Sequence, residues 1–359
     1  MDDTKIKLNL DTFDIQFSQK QKEAPKVVET KETKSEKTSY LKPDRTRMIH
    51  IVLNKIRLQP IDIVEALEAY NEPLLTTATC ELILPLMPTE SETAELSKVQ
   101  TPLDEMATAD QLILLLAGCV GAKERVKALL FKDSYEKDSE LIMKEIKRFH
   151  KVFKFIKEDE KLRKWLEIIL AIGNYMNGSS ARGGAWAFKL EALTKLNDVK
   201  SKDNRQTLMH YLVDFIANKL QQPELFEIEK TLKKFTKLQY QSIVESAREM
   251  TMRFQDVTKL KKAIEENKDQ LQPDDQSNEF LQSFYDKGEQ IIKKINDEVN
   301  KIDNEFKHIV KLFGEDPKFT IDNFINIFMK FYNDMKNARE WLEEMKKKKS
   351  KDGKRKTKK

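Results

Sequence analysis

Cysteine, histidine, glycine and proline are all scarce in this chain of 359 residues, which holds two, four, nine and ten of them respectively. Each shortage excludes something. Cys80 and Cys119 lie in apolar stretches with no metal-ligand spacing, so two reduced core residues are expected. His50, His150, His210 and His308 include no i, i+4 pair, and neither a Gly-x-Ser-x-Gly elbow nor a Cys–His cluster occurs. The expectation is a protein that is not an enzyme and carries no metal or cofactor. Long hydrophobic runs are missing as well. The longest, "LILLLAGCV" at 112–120, is far too short to span a bilayer. The start "MDDTKIKLNL" has neither a basic n-region nor an apolar h-region, so no secretory signal is read there. The expectation is a soluble protein of the cytoplasm.

What the chain does contain is charge: 35% of it is Asp, Glu, Lys or Arg. With so little glycine and proline to interrupt it, that composition favours long helices over sheets. The charge is unevenly spread. The terminal segment "KKKKSKDGKRKTKK", 346–359, is +9, which leaves −4 of the total +5 on residues 1–345. A mildly acidic body is no general nucleic-acid binder, although such a tail can touch any anionic surface.

Residues 20–39 are almost entirely polar and read as a flexible linker, preceded by one short amphipathic helix in "LDTFDIQFSQ". From 44 onward, apolar residues recur at helical spacing, and Pro60, Pro73, Pro85, Pro88 and Pro102 mark turns between short helices. Longer helices are predicted at about 104–117, 122–131, 136–157 and 159–176. The last third keeps three- and four-residue apolar steps, first from Ile228 to Val257. They resume from Phe284 to Phe313 after "LQPDDQSN", and from Phe324 to Met345 after "GEDP". Such seams predict antiparallel helices zipped as a coiled coil, and hence an elongated all-α fold.

Four of the nine glycines fall within 173–184, in "GNYMNGSSARGGAWAFKL". A phosphate-cradling loop follows a strand and opens a helix. This one follows the helical "KLRKWLEIILAIGNYMN" and has no lysine in the Gly-Lys-Ser/Thr position. The phosphate reading therefore fails, and the residues themselves point elsewhere. Gly173 to Asn177, Phe188 to Leu190, Leu193, Leu196, Asp198, Lys200 to Asp203 and Thr207 to Leu212 form an ordered pattern of about forty residues. The pattern resembles the signature of the formin homology two domain, the actin-binding core of formins. "DRTRMIHIVLNKIRLQPIDIVEAL" is similar to that family's first core helix and turn. The resemblance covers roughly residues 8–345.

It implies a domain of lasso, linker, knob, coiled coil and post, two copies of which close head to tail around the barbed end of an actin filament. The implied organisation is a short helix and linker over 1–39, a core over 40–345 and a basic disordered tail over 346–359. The implied partners are actin and a second copy of the chain. The implied function is filament nucleation and processive barbed-end capping, in the cytoskeleton. In the family the glycine loop receives the partner's lasso, so Gly173, Asn174, Tyr175, Met176, Asn177, Arg182, Gly183, Trp186 and Phe188 are the candidate dimer-loop residues. There are departures. The family's lasso carries tryptophans, whereas here the tryptophans are Trp165, Trp186 and Trp341. The expectation is therefore a weakened dimer. No two prolines adjoin, so no proline-rich segment is read, and Ala187 stands where a glycine is usual.

By the motif, the family's barbed-end isoleucine falls on Ile51. The helical wheel bears on it independently. Met48, Ile49, Val52, Leu53 and Ile56 share one face, and Ile51 lies about 130° from its centre. Such a residue, with Leu58 beside it, is either covered by a neighbouring element or offered to a partner. Arg45, Arg47, Lys55 and Arg57 form a basic collar, read either as solvated charge or as steering toward actin's acidic surface. Lys237 matches a second actin-contacting lysine, with Lys233 or Lys234 as alternatives. A different reading needs no actin: a coiled-coil scaffold that binds microtubules or anionic membrane through its basic tail.

Overall fold

The computed structural model describes residues 39–178 and 184–356, with side chains as far as Lys348. The expected N-terminal helix and linker up to residue 38, and candidates Arg182 and Gly183, lie outside them. The described residues are mostly helical, without strands; a single bridge pairs Lys200 with Thr207. None of these helices is long and apolar enough to cross a membrane.

Five short helices build a first unit: α1 (Pro43–Ile56), α2 (Pro60–Glu68), α3 (Thr77–Ile83), α4 (Glu90–Leu96) and α5 (Thr108–Gly118). Their ends follow local chemistry. Proline opens α1 and α2, and its missing N–H would be unpaired there anyway. Thr76 caps α3, and Thr89 with Glu92 forms a capping box on α4. Arg57, in the left-handed region at φ 59°, stops α1. α5 is the centre of the unit, contacted by α1, α2 and α4. It carries the buried Asp110, whose carboxylate accepts from Ser39 Oγ and Tyr40 N–H, both at 2.9 Å. Cys80 and Cys119 are buried and unpaired, as expected; burial pushes their thiols up to about 11 and about 12.

A three-helix rod follows, of α6 (Ala122–Glu158), α10 (Tyr240–Glu266) and α11 (Ser277–Leu312). Its 37-residue first helix is about 55 Å long. α10 runs antiparallel to α6: Asp256 meets Lys127, Arg253 meets Asp138, and Tyr240 meets Phe149. α11 runs parallel to α6, with Lys287 on Glu136 and Phe306 on Phe153. His150 stands between Glu298 and Glu305, 3.0 and 3.1 Å away. The apolar steps that predicted the seam are buried or half-buried along its length.

Three boundaries differ from the sequence reading. α6 does not break at 131–136. Each polar residue of that stretch finds a partner on a neighbouring element: Lys132 on Glu72, Asp133 on Thr77, Ser134 on Arg253 and Glu136 on Lys287. Conversely, the seam from Ile228 to Val257 is two helices. α9 (Ile228–Phe235) packs against the last helix, whereas α10 enters the rod, so the chain turns at Thr236–Gln239. α5 also begins at Thr108, after a 3-10 turn at Leu103–Glu105.

Gly288 sits in the rod's aromatic layer. A Cβ there would stand 3.0 Å from the ring of Phe254 and 3.5 Å from that of Phe131. Gly288→Ala gains about 1 kcal/mol of helix propensity. Forcing apart two buried rings costs more, about 1–3 kcal/mol. A net fall in thermal midpoint is expected, and a rise would show that the layer has room to spare.

The distal unit holds α7 (Glu160–Asn177), α8 (Leu208–Asp214), α9 and α12 (Ile321–Lys356). Trp165 is wholly buried at its centre. Its indole N–H donates to Leu225 C=O at 2.9 Å, and its ring meets Phe226 and Phe331 edge-on. The Thr207–Leu212 motif opens α8. There the Thr207 N–H donates to Nδ1 of His210, whose pKa burial lowers, and the His210 ring lies edge-on to Trp341. α12 continues to Lys356, so the basic segment expected to be disordered from 346 starts as helix. Lysine is a good helix former, and no glycine interrupts before Gly353.

A fully buried junction helps join the first unit to the rod. Arg125, near the start of α6, is completely buried. Its guanidinium donates to Asp275 at 2.5 Å, to Val120 C=O at 2.7 Å and to Leu67 C=O at 3.4 Å, and it lies over the Tyr70 ring. Asp275 also accepts from the Ser277 N–H at the head of α11. Nothing in the sequence reading singled out this pair, because an Arg and an Asp 150 residues apart carry no local pattern.

Candidate functional site

The sequence candidates resolve into two exposed surfaces at opposite ends of the rod. The first is on α1. Ile49 and Leu53 are buried, while Met48, Val52 and Ile56 are half-buried against the core. The predicted inner face is the observed one. Ile51, on the other side, is 61% exposed, so no element of the described chain covers it. Leu58 does not accompany it: past the left-handed Arg57 the chain turns, and Leu58 packs half-buried on the core.

The collar around Ile51 loses one member. Arg45 donates to both oxygens of Glu92 and to the carbonyls of Pro85, Leu86 and Met87, which straps α1 to the turn before α4. For Glu92, burial opposes ionisation, but the hydrogen bonds from Thr89 and Arg45 win and hold its carboxyl below the usual range. Arg45 is thus a structural residue. Arg47, Lys55 and Arg57 are exposed and make no ion pair among the described residues. Arg57 and His50 also line a polar hollow of about 400 Å³ with Asn54, Gln59 and Thr108.

The second surface is on the distal unit and has two parts. Lys237 lies in the turn between α9 and α10, and its register against Lys233 and Lys234 matters less than the sequence suggested. Lys230, Lys233, Lys234 and Lys237 follow i, i+3, i+4, i+7 steps, and all are exposed. Ile228, Leu232 and Phe235 bury the opposite side. The nearby acids are engaged elsewhere, Glu227 with Lys161 and Glu229 with Arg339. The result is a single lysine face. Beside the start of α10 lies a cleft of about 610 Å³ lined by Tyr240, Phe306, Val310 and Phe319, with Asp303 accepting from the Tyr240 hydroxyl. Sequence reasoning missed this cleft, which three separate segments create.

The other part is the glycine loop. Gly173 to Asn177 form the last turn of α7. The Asn174 carboxamide both donates to the Ala185 carbonyl and accepts from its N–H, each at 2.8 Å, closing the loop with a side chain in place of a strand partner. An exposed aromatic follows each end of this clasp: Tyr175 is 89% and Trp186 98% exposed. Met176 is also exposed and Phe188 half-buried. Behind Trp186 lies a cavity of about 190 Å³ between Leu166, Leu170, Phe188 and Phe313. Gly184 needs its lack of a side chain for its φ of 70°; neither it nor Gly173 has an atom of the chain within 4 Å of where a Cβ would stand. A tryptophan with almost its whole ring in water offers a large apolar surface to something outside the chain.

Comparison with known proteins gives one family over most of the chain. The family model "Formin Homology 2 Domain" matches residues 1–336. Formin-like protein 1 of Homo sapiens is 29% identical over 359 residues, which is 97% of this chain and 32% of that protein. Formin-like protein 1 of Mus musculus is 30% identical over 316 residues, 87% of this chain and 28% of that protein. Formin-A of Dictyostelium discoideum is 26% identical over 346 residues, 92% of this chain and 28% of that protein. The chain spans about a third or less of the length of these curated relatives.

Proposed function

The chain belongs to the Formin Homology 2 Domain family, and from that premise we propose that it binds the barbed ends of actin filaments, nucleates filaments and stays on the growing end. The observation that carries the reading is Ile51. It is a large apolar side chain left in water on a helix whose other apolar residues are all turned inward, with Arg47, Lys55 and Arg57 around it. An apolar anchor inside a charged rim is the arrangement of an interface hot spot. The lysine face of α9 at the far end of the rod supplies a second contact. No nucleotide chemistry enters. Assembly is promoted through buried interface alone.

The same reading gives the glycine loop to a second copy of the chain. Tyr175 and Trp186 are too exposed to serve this copy's own core, and the cavity behind Trp186 has room for a partner's side chain. Trp186→Ala should leave the melt unchanged and lower the dimer fraction in sedimentation.

The test of the whole reading is assembly of pyrene-labelled actin, with and without preformed seeds. The expected result is a shortened lag without seeds and slowed barbed-end growth with them. A chain that changes neither, yet pellets with microtubules or anionic vesicles until residues 346–359 are removed, would instead be a scaffold that acts through its tail. The salt dependence separates the two further, because binding through nine net positive charges weakens steeply with ionic strength.

A further inference from the structure

Trp186 and the cavity behind it are two halves of a contact that one copy of the chain leaves uncombined. Of the three tryptophans, Trp165 is buried and Trp341 half-buried, whereas Trp186 has almost its whole surface in water. Its backbone is held on both sides, by the Asn174 clasp on Ala185 and by Phe188 on the core. From there the ring points outward. The apolar cavity that it borders, of about 190 Å³, stays open between Leu166, Leu170, Phe188 and Phe313. That volume is below the ~300–1,000 Å³ of a small-molecule site, and it suits one large side chain.

The charge on this patch decides which partner suits it. Its charged lining is Arg163 and Glu167, one of each sign and both exposed. Glu167 meets the exposed Lys164 of its own helix at 3.1 Å, a pair worth little in water. The α1 collar and the α9 lysine face are cationic and suit an acidic surface; this patch offers such a surface nothing. A second copy of the patch, by contrast, meets it without a like-charge field. Knob and cavity also lie side by side. A two-fold axis beside them sets each tryptophan against the other copy's cavity, which is the self-complementarity that an isologous contact needs. Trp186 and the neighbouring Tyr175 can bury about 300–500 Å² per copy. A stable interface takes ~800 Å² per partner, so this contact is a weak one and depends on concentration.

We infer that two copies of the chain pair loop to loop, each placing its Trp186 in the cavity of the other. The inference rests on the reading that gives this loop to a second copy, and it names the side chain that enters. It also sets the geometry. A reciprocal contact on one axis closes as a pair, whereas a head-to-tail contact must close a ring.

The test follows sedimentation and tryptophan emission of the full chain across the micromolar range. Emission should shift to the blue as the dimer fraction rises, because Trp186 is the exposed tryptophan. Trp186→Ala removes the knob, and Leu170→Trp fills the cavity; Leu166→Trp takes its place if the melt falls. An anchor of this kind is worth roughly thirty-fold, and one substitution removes it twice, so each variant alone should pair roughly a thousand-fold more weakly. Mixed together, the two should associate. The Leu170→Trp chain still carries Trp186 and the Trp186→Ala chain still has its cavity, so one contact of the two returns. The mixture should fall only about thirty-fold short of the unsubstituted dimer. A mixture that pairs no better than its parts overturns the inference. So does a dimer that survives Trp186→Ala and is lost with Phe13→Ala and Phe17→Ala, which would give the cavity to the partner's N-terminal segment and leave the wider reading standing. If the unsubstituted chain stays monomeric and its emission does not move, that reading falls together with the inference.

Discussion

Arg125→Met should destabilise the chain by about 3–5 kcal/mol, the largest single-residue effect expected in this molecule. Its guanidinium is fully buried, and removing it leaves the Asp275 carboxylate, itself almost entirely enclosed, without its counter-charge. Two backbone carbonyls, of Val120 and Leu67, lose their donor at the same time. The damage is local in origin but not in reach. Arg125 belongs to the rod, Leu67 to α2 and Asp275 to the head of α11, so the one side chain fastens the first unit to two of the rod helices. The first unit should then unfold ahead of the rest, and melts should show two steps where the unsubstituted chain shows fewer. Amide exchange in α2 and at the start of α11 should accelerate before that in α12. The double variant Arg125→Met, Asp275→Leu should recover much of the loss, since an apolar pair leaves no buried charge behind. A single substitution costing under about 1 kcal/mol would show that water reaches the junction and that the pair is not what holds it.

Ile51→Ala should act in the opposite way, on binding and not on stability. If Ile51 is the anchor proposed here, its truncation removes on the order of 2 kcal/mol from the barbed-end complex. That corresponds to roughly a thirty-fold weaker affinity. The thermal midpoint should not move, because at 61% exposure the side chain contributes little to the core. Ile49→Ala, two residues away and completely buried, is the matched contrast: about 2–5 kcal/mol of stability lost. Unchanged filament-end binding by the Ile51 variant would remove the observation on which the functional reading stands. Two variants on one helix thus separate folding from function.

Ile51 also shows how far sequence goes. The wheel placed it off the inner face of α1 but left open whether a neighbouring element covers it. Only the packing of α1 on α5 decided that it is uncovered. Arg45 is the reverse case. On the sequence it is one of four similar cations, and in the structure it is drawn into the turn at Pro85–Met87 by three carbonyls and a carboxylate. Leu58 left the Ile51 surface for a comparable reason, since the left-handed residue before it redirects the chain. Lys237 and its alternatives Lys233 and Lys234 are all exposed, so the structure does not choose between them.

By itself the sequence determined the all-α class, the rod's apolar seam, the inner face of α1 and the family. These depend on what lies within a few turns of chain. Three- and four-residue steps, prolines between short helices, and the run from Gly173 to Leu212 are local patterns, and a local pattern survives in one dimension. The tertiary structure alone decided the continuity of α6 through 131–136, the turn between α9 and α10, the Arg125–Asp275 junction, the clasp from Asn174 to Ala185, and which cations are free. Each of these turns on a group brought in from another segment, up to 150 residues away between Arg125 and Asp275. A polar stretch stays helical when its side chains find partners across a helix interface, and a lysine is free when the acids near it are held by someone else. Neither condition is written in the residue's own neighbourhood, because both are settled by which surfaces meet once the apolar seams have closed.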